Sequence, residues 1–184
     1  LFDAFSVEEN IALPLRYHRT GTSAEIQLKV DTWLDRVGVT EYRRAYPSEL
    51  PFGAQKKVSI ARALSLEPKG FILDEPTTGL DRASAEALTD LVVELHRSLK
   101  LTTVLISHDR ANILRTAERV VMIHEGRLID AQLHGAAGAA AGGRRAALGV
   151  QVASGEDDSK LLRRFLALDT PESDDPATGP QRQG

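Results

Sequence analysis

The chain predicts an α/β fold: a mostly parallel sheet with an α-helical subdomain inserted ahead of its strands. Three observations carry this. Residues 70–73 and 102–106 are short apolar or β-branched runs of strand length. A helical repeat separates them, the alternation that lays strands parallel and covers their faces with helices. Residues 1–66 show instead helix caps and helical spacing, as a separate helical part would.

Taken in order, Ser6-Val7-Glu8-Glu9 is a capping box, with Ser6 as N-cap and Glu9 reaching back to it. A helix follows through Leu13, and Pro14 is expected to end or kink it. From Ser23, apolar residues at Ile26, Val30, Trp33, Leu34 and Val37 recur at helical spacing, and Gly38 is a good stop. Trp33 on that stripe reads as core. After Pro47 a helix should run over about residues 53–66. Residues 70–73 then form a buried strand leading into Asp74, which Pro76 prevents from continuing. Ser84, Leu88, Leu91, Val92, Leu95 and Leu99 mark the next helix, and residues 102–106 a second buried strand. A short helix bears Ile113, Leu114 and Ala117, and Glu125-Gly126 turns a hairpin at the sheet edge.

The expected domain is 1–130, divided into a helical part at 1–66 and an α/β part at 67–130. Residues 131–156 are Ala/Gly-rich and read as a linker, 157–168 as an amphipathic helix burying Leu161, Leu162, Phe165 and Leu166. Residues 169–184 are Pro-, Asp- and Gln-rich and are expected to be disordered.

Composition narrows the function. A net charge of -3 gives no hint of nucleic-acid binding, and Arg144, Arg145, Arg163 and Arg164 read as solvated faces. Cys is absent, which excludes disulfides and thiolate metal sites. No apolar run approaches the roughly 18 residues that span a bilayer.

The chemistry concentrates at Asp74-Glu75. Two adjacent carboxylates at the C-terminal end of a strand sit where open α/β sheets place ligands. One can hold Mg²⁺ while its neighbour polarises a water for attack on a phosphate. The whole run Ile72-Leu73-Asp74-Glu75-Pro76-Thr77-Thr78-Gly79-Leu80-Asp81 resembles the Walker B and D-loop segment of ABC-type ATPases, LDEPTxGLD. Ser107-His108-Asp109, ending the second strand, resembles the H-loop, whose His contacts the γ-phosphate and helps hold the attacking water. Residues 121–128 resemble the hairpin that follows it.

Residues 46–64, from Tyr46-Pro47-Ser48-Glu49-Leu50 to Ala61-Arg62-Ala63-Leu64, resemble the signature region, P-x-x-L-S-G-G followed by a basic helix. There the centre departs from the pattern: Pro51 replaces the Ser and Phe52 the first Gly, leaving Gly53. In the family this segment grips the γ-phosphate bound by a partner chain. Pro51 offers neither hydroxyl nor N–H, and Phe52 sets a ring where bare backbone approaches the phosphates, so the grip is expected to weaken.

The resemblance implies a P-loop NTPase-like, incomplete ABC nucleotide-binding domain using ATP and Mg²⁺. It assigns Glu75 and His108 as catalytic, Asp74 to the metal, and Gly53, Gln55 and Asp81 to the nucleotide. Partners would be a second ATPase subunit, in a homodimer or heterodimer, and transmembrane permease subunits, with no nucleic acid. The location would be peripheral, on the cytoplasmic face of the inner membrane. The group around Trp33 would receive the permease's coupling helix.

Residues 1–16, beginning Leu1-Phe2-Asp3-Ala4-Phe5, resemble the run after the Q-loop in ATPases of Mla/Mce-type phospholipid transporters, as residues 157–166 resemble their closing helix. The 184 residues contain no Gly-Lys dipeptide and hence no G-x-x-x-x-G-K-[ST] loop. The expectation is an N-terminally truncated domain, inactive alone, whose complete form drives lipid transport. Alternatives are an ABC ATPase serving another transported substrate, one acting on DNA or ribosomes, and a non-catalytic partner used in assembly.

Overall fold

A computed structural model describes residues 1–134 and 149–152. The chain divides into two compact units, residues 1–108 and residues from Asp109 onward.

In the first unit, helix α1 (Val7–Tyr17) starts at the expected capping box: Ser6 Oγ accepts from the Glu9 amide and the Glu9 carboxylate accepts from the Ser6 amide. The helix does not stop at Pro14. It runs on to Tyr17, because Leu15 is wholly buried in the core and the His18 amide donates to the Pro14 carbonyl at 3.0 Å. Pro14 loses one helical bond, and the burial of its neighbour outweighs that loss. Helix α2 (Ser23–Arg36) has a second capping box, Thr22 with Glu25, and terminates at Gly38, whose φ of 64° suits a residue without Cβ. Its stripe of Ile26, Val30, Trp33 and Leu34 is buried against α1 and helix α3 (Phe52–Leu64), confirming Trp33 as core.

Asn10 is the polar pin of this helical group. It is wholly buried; its Oδ1 accepts from the Phe2 amide at 2.9 Å, and its Nδ2 donates to the carbonyls of Phe2, Phe5 and Ser6. Asn10→Ala should cost about 2–4 kcal/mol, since a wholly buried amide and its four bonds to the Phe2, Phe5 and Ser6 backbone are lost. A urea midpoint within experimental error of the wild type would show that other groups take over those bonds.

Strands β1 (Gly70–Asp74) and β2 (Thr102–Ile106) pair in parallel, Ile72 opposite Val104 and Asp74 opposite Ile106. Helix α4 (Arg82–Leu99) connects them and buries Leu88 and Leu95. The strands were expected to be buried throughout; the structure covers one face only. Phe71 and Leu73 are buried, whereas Ile72, Val104 and Ile106 are 69%, 50% and 51% exposed. Strand side chains alternate, so a helix on one side leaves every second residue uncovered.

In the second unit, Asp109 caps helix α5 (Arg110–Thr116), and strands β3 (Arg119–His124) and β4 (Arg127–His134) form the expected hairpin. Glu125 and Gly126, both at positive φ, make its two-residue turn. An Arg119–Asp130 ion pair bridges the two strands. The hairpin does not extend the parallel sheet. It has its own antiparallel sheet, completed by β5 (Gly149–Val152) alongside β4. Residues 131–134 and 149–152 thus form strand where linker was expected; Val150 and Val152 supply the β-branched alternation that pairs there. The remainder of that expected linker, the helix at 157–168 and the tail at 169–184 lie outside the described residues.

Among the described residues, no helix is long and apolar enough to cross a membrane.

Candidate functional site

The two parallel strands end side by side, and the loops that leave them build the site. Asp74 is the last residue of β1, exposed, on the open face that also carries Ile72, Val104 and Ile106. At Glu75 the backbone turns sharply, with φ of 45°, while the Glu75 amide donates to the Ile106 carbonyl at 2.9 Å. A left-handed conformation at a Glu is uncommon and costs energy, so the surroundings must enforce it. They do so through Pro76 and two turn bonds, from the Thr78 amide to the Glu75 carbonyl and from the Leu80 amide to the Thr77 carbonyl.

The Glu75 side chain is held at both oxygens. Oε1 accepts from the His108 amide at 3.1 Å and lies 2.6 Å from His108 Nδ1. Oε2 accepts from the Thr78 hydroxyl at 2.9 Å. Because Oε1 can only accept, Nδ1 carries the proton in this contact. The hydrogen bond from the His108 ring holds the Glu75 carboxyl below the usual carboxylate range; burial opposes it, and the Thr78 hydroxyl adds to the lowering. The group is therefore a carboxylate at neutral pH. Its exposure lets water reach it, and the His108 side chain is 80% exposed. Such a pair can polarise a water and relay its proton.

Other residues singled out by the sequence fall into two sets. Asp74 supplies one carboxylate, and no group of three or more metal-binding side chains occurs among the described residues. That donor set fits Mg²⁺ bound with a nucleotide, which takes one or two carboxylates and completes its shell with phosphate oxygens and water. Asp81 caps α4: its Oδ1 accepts from the Ser84 amide and its Oδ2 from the Ser84 hydroxyl, contacts that hold its carboxyl below the ordinary range. Gln55 turns inward, its Nε2 donating to the Leu50 carbonyl at 3.1 Å. Gly53 lies in the first turn of α3, where an added Cβ would sit 3.9 Å from Leu80 and Ser84 side-chain atoms. Pro51 is the N-cap of α3 and offers no side-chain cap bond.

The structure thus joins Glu75 directly to His108, and sets Gly53 beside the start of α4 that Asp81 caps. Sequence reasoning missed Thr78. The available signal was a hydroxyl three residues after a Glu, across a turn closed by Gly79.

Residues 1–78 match the family described as ABC transporter. Over that segment the chain is similar to the ATP-binding domains of ABC transporters. Curated relatives include the methionine import ATP-binding protein MetN of Haemophilus influenzae, 39% identical over 130 residues, which are 71% of this chain and 37% of that protein. The sulfate/thiosulfate import ATP-binding protein CysA of Mycobacterium bovis is 37% identical over 127 residues, 69% of this chain and 36% of that protein. The chain therefore spans little more than a third of the length of these relatives. A solved structure, cbiO1 of Clostridium perfringens, part of the ABC transporter complex cbiONQ, superposes with a TM-score of 0.64 at 33% identity, covering 70% of this chain and 50% of that one. The α/β expectation for the ATP-binding domain is met by this likeness. The Mla/Mce likeness is not reflected in these relatives, whose names describe methionine and sulfate/thiosulfate import.

Proposed function

We propose that the complete protein, with any sequence preceding Leu1, is the ATP-hydrolysing, energy-coupling subunit of an ABC transporter. The observation that carries this is the Glu75–His108 pair, set at the ends of two neighbouring parallel strands and fixed through both carboxylate oxygens. Glu75 polarises the attacking water, and His108 orients it and touches the γ-phosphate. Asp74 holds Mg²⁺, whose charge offsets that of the phosphates. Gly53 and the first turn of α3 face the phosphates bound by a second ATPase subunit, with Pro51 removing one donor from that grip. Gln55 and Asp81 belong to the same nucleotide-binding set, Gln55 held by the Leu50 carbonyl and Asp81 capping α4.

Permease subunits complete the transporter and hold the ATPase peripherally at the membrane. For the transported substrate, the relatives favour import of a small polar solute. The lipid reading rests only on the sequence likeness of residues 1–16 and 157–166. The ATPase residues would serve either.

Asp74→Asn in the complete protein is expected to weaken Mg²⁺-ATP binding about ten-fold or more, while ATP in excess EDTA binds as before. Isothermal titration with and without Mg²⁺ reads this. Equal losses in both conditions would mean that Asp74 is structural and would remove the metal assignment.

A further inference from the structure

Phe52, expected from the sequence only as an obstruction, has a partner inside its own chain. A Cβ placed on Gly79 would lie 2.9 Å from Phe52 Cε1 and 3.6 Å from Cδ1 and Cζ, so the ring rests directly on the Gly79 backbone. Lys56 Nζ, one helical turn along α3, sits 5.1 Å from the ring centroid. The ring thus contacts both that ammonium and the loop. Gly79 has φ of 85°, so only a residue without Cβ serves there on two counts, backbone conformation and room for the ring.

The loop so covered governs Glu75. Thr78, the residue before Gly79, gives its hydroxyl to Glu75 Oε2 and its amide to the Glu75 carbonyl. Residues 77–79 are themselves exposed or half-buried. A glycine at position 52 would leave this loop tip uncovered.

We propose that Phe52 is a positioning residue for Glu75: its ring clamps Gly79 and, through Thr78, fixes the carboxylate that faces the water. The clamp deepens the ATPase reading and rests on it for its consequence in catalysis, but not for its existence. The substitution that weakens the outward grip of the signature segment thus steadies the chain's own carboxylate.

Phe52→Ala and Phe52→Tyr in the complete protein test it. Phe52→Ala should speed hydrogen exchange at the Thr78 and Leu80 amides about ten-fold or more, with Val58 and Ile60 in α3 unchanged, and Phe52→Tyr should restore protection. In steady-state kinetics Phe52→Ala should lower kcat several-fold with KM unchanged, and Phe52→Tyr should recover it. Unchanged exchange in Phe52→Ala overturns the clamp, as does a KM that falls with kcat preserved, the mark of an obstruction removed from a phosphate site. If exchange changes as described while the wild-type protein hydrolyses no ATP, the clamp stands and the ATPase reading fails.

Discussion

Glu75→Gln in the complete protein is expected to cut ATP turnover by roughly 10²–10⁴-fold, the scale on which a positioned general base acts. Gln keeps the length of the side chain and can still meet the Thr78 hydroxyl and the His108 amide. What it loses is the charge, which both attracts the water's proton and strengthens the contact with His108 Nδ1. Nucleotide affinity should be preserved, because the carboxylate contributes nothing favourable toward the phosphates in the ground state. Phosphate release and ATP binding measured on the same preparation separate these effects. Turnover within a factor of about three of wild type would mean that another group is the base.

His108→Ala should lower turnover by roughly two to four orders of magnitude, the loss expected for one proton-positioning or charge-stabilising group. The structure makes this a clean test. The His108 side chain is 80% exposed and fills no core, so its removal opens no cavity. The melting temperature should barely move. A structural role predicts the reverse, a lower melting temperature with activity per folded molecule intact. Measuring both quantities together distinguishes the two readings.

Those residues were legible because their chemistry is local. Asp74-Glu75-Pro76 follows an apolar run, and His108 follows another; adjacency of the two strands then brings Glu75 and His108 into contact. Capping boxes are equally local, and Ser6 with Glu9 forms as its spacing requires. What escaped depended on contacts distant in sequence or on backbone shape. Pro14 stays inside α1 because Leu15 is buried by the other helices, which no window around Pro14 reveals. Phe52 read as an isolated defect until Gly79, 27 positions on, came to lie beneath its ring. The capping of α4 by Asp81 was not read from the sequence, although the Asp-x-x-Ser spacing permits it. Strand β5 pairs with β4 across residues 135–148, and so its Val-Gln-Val alternation was too short to stand out in an Ala/Gly-rich stretch.

If Glu75 is the group that activates the water, its loss should leave an ATP-bound pair of subunits unable to separate by hydrolysis. Sedimentation velocity of the complete Glu75→Gln protein with Mg²⁺-ATP tests it most directly. The expected result is a dimer that persists with Mg²⁺-ATP and dissociates with Mg²⁺-ADP, whereas the wild-type protein returns to monomer as ATP is consumed. A Glu75→Gln protein that binds Mg²⁺-ATP but stays monomeric, or that leaves the dimer as fast as wild type, would contradict it.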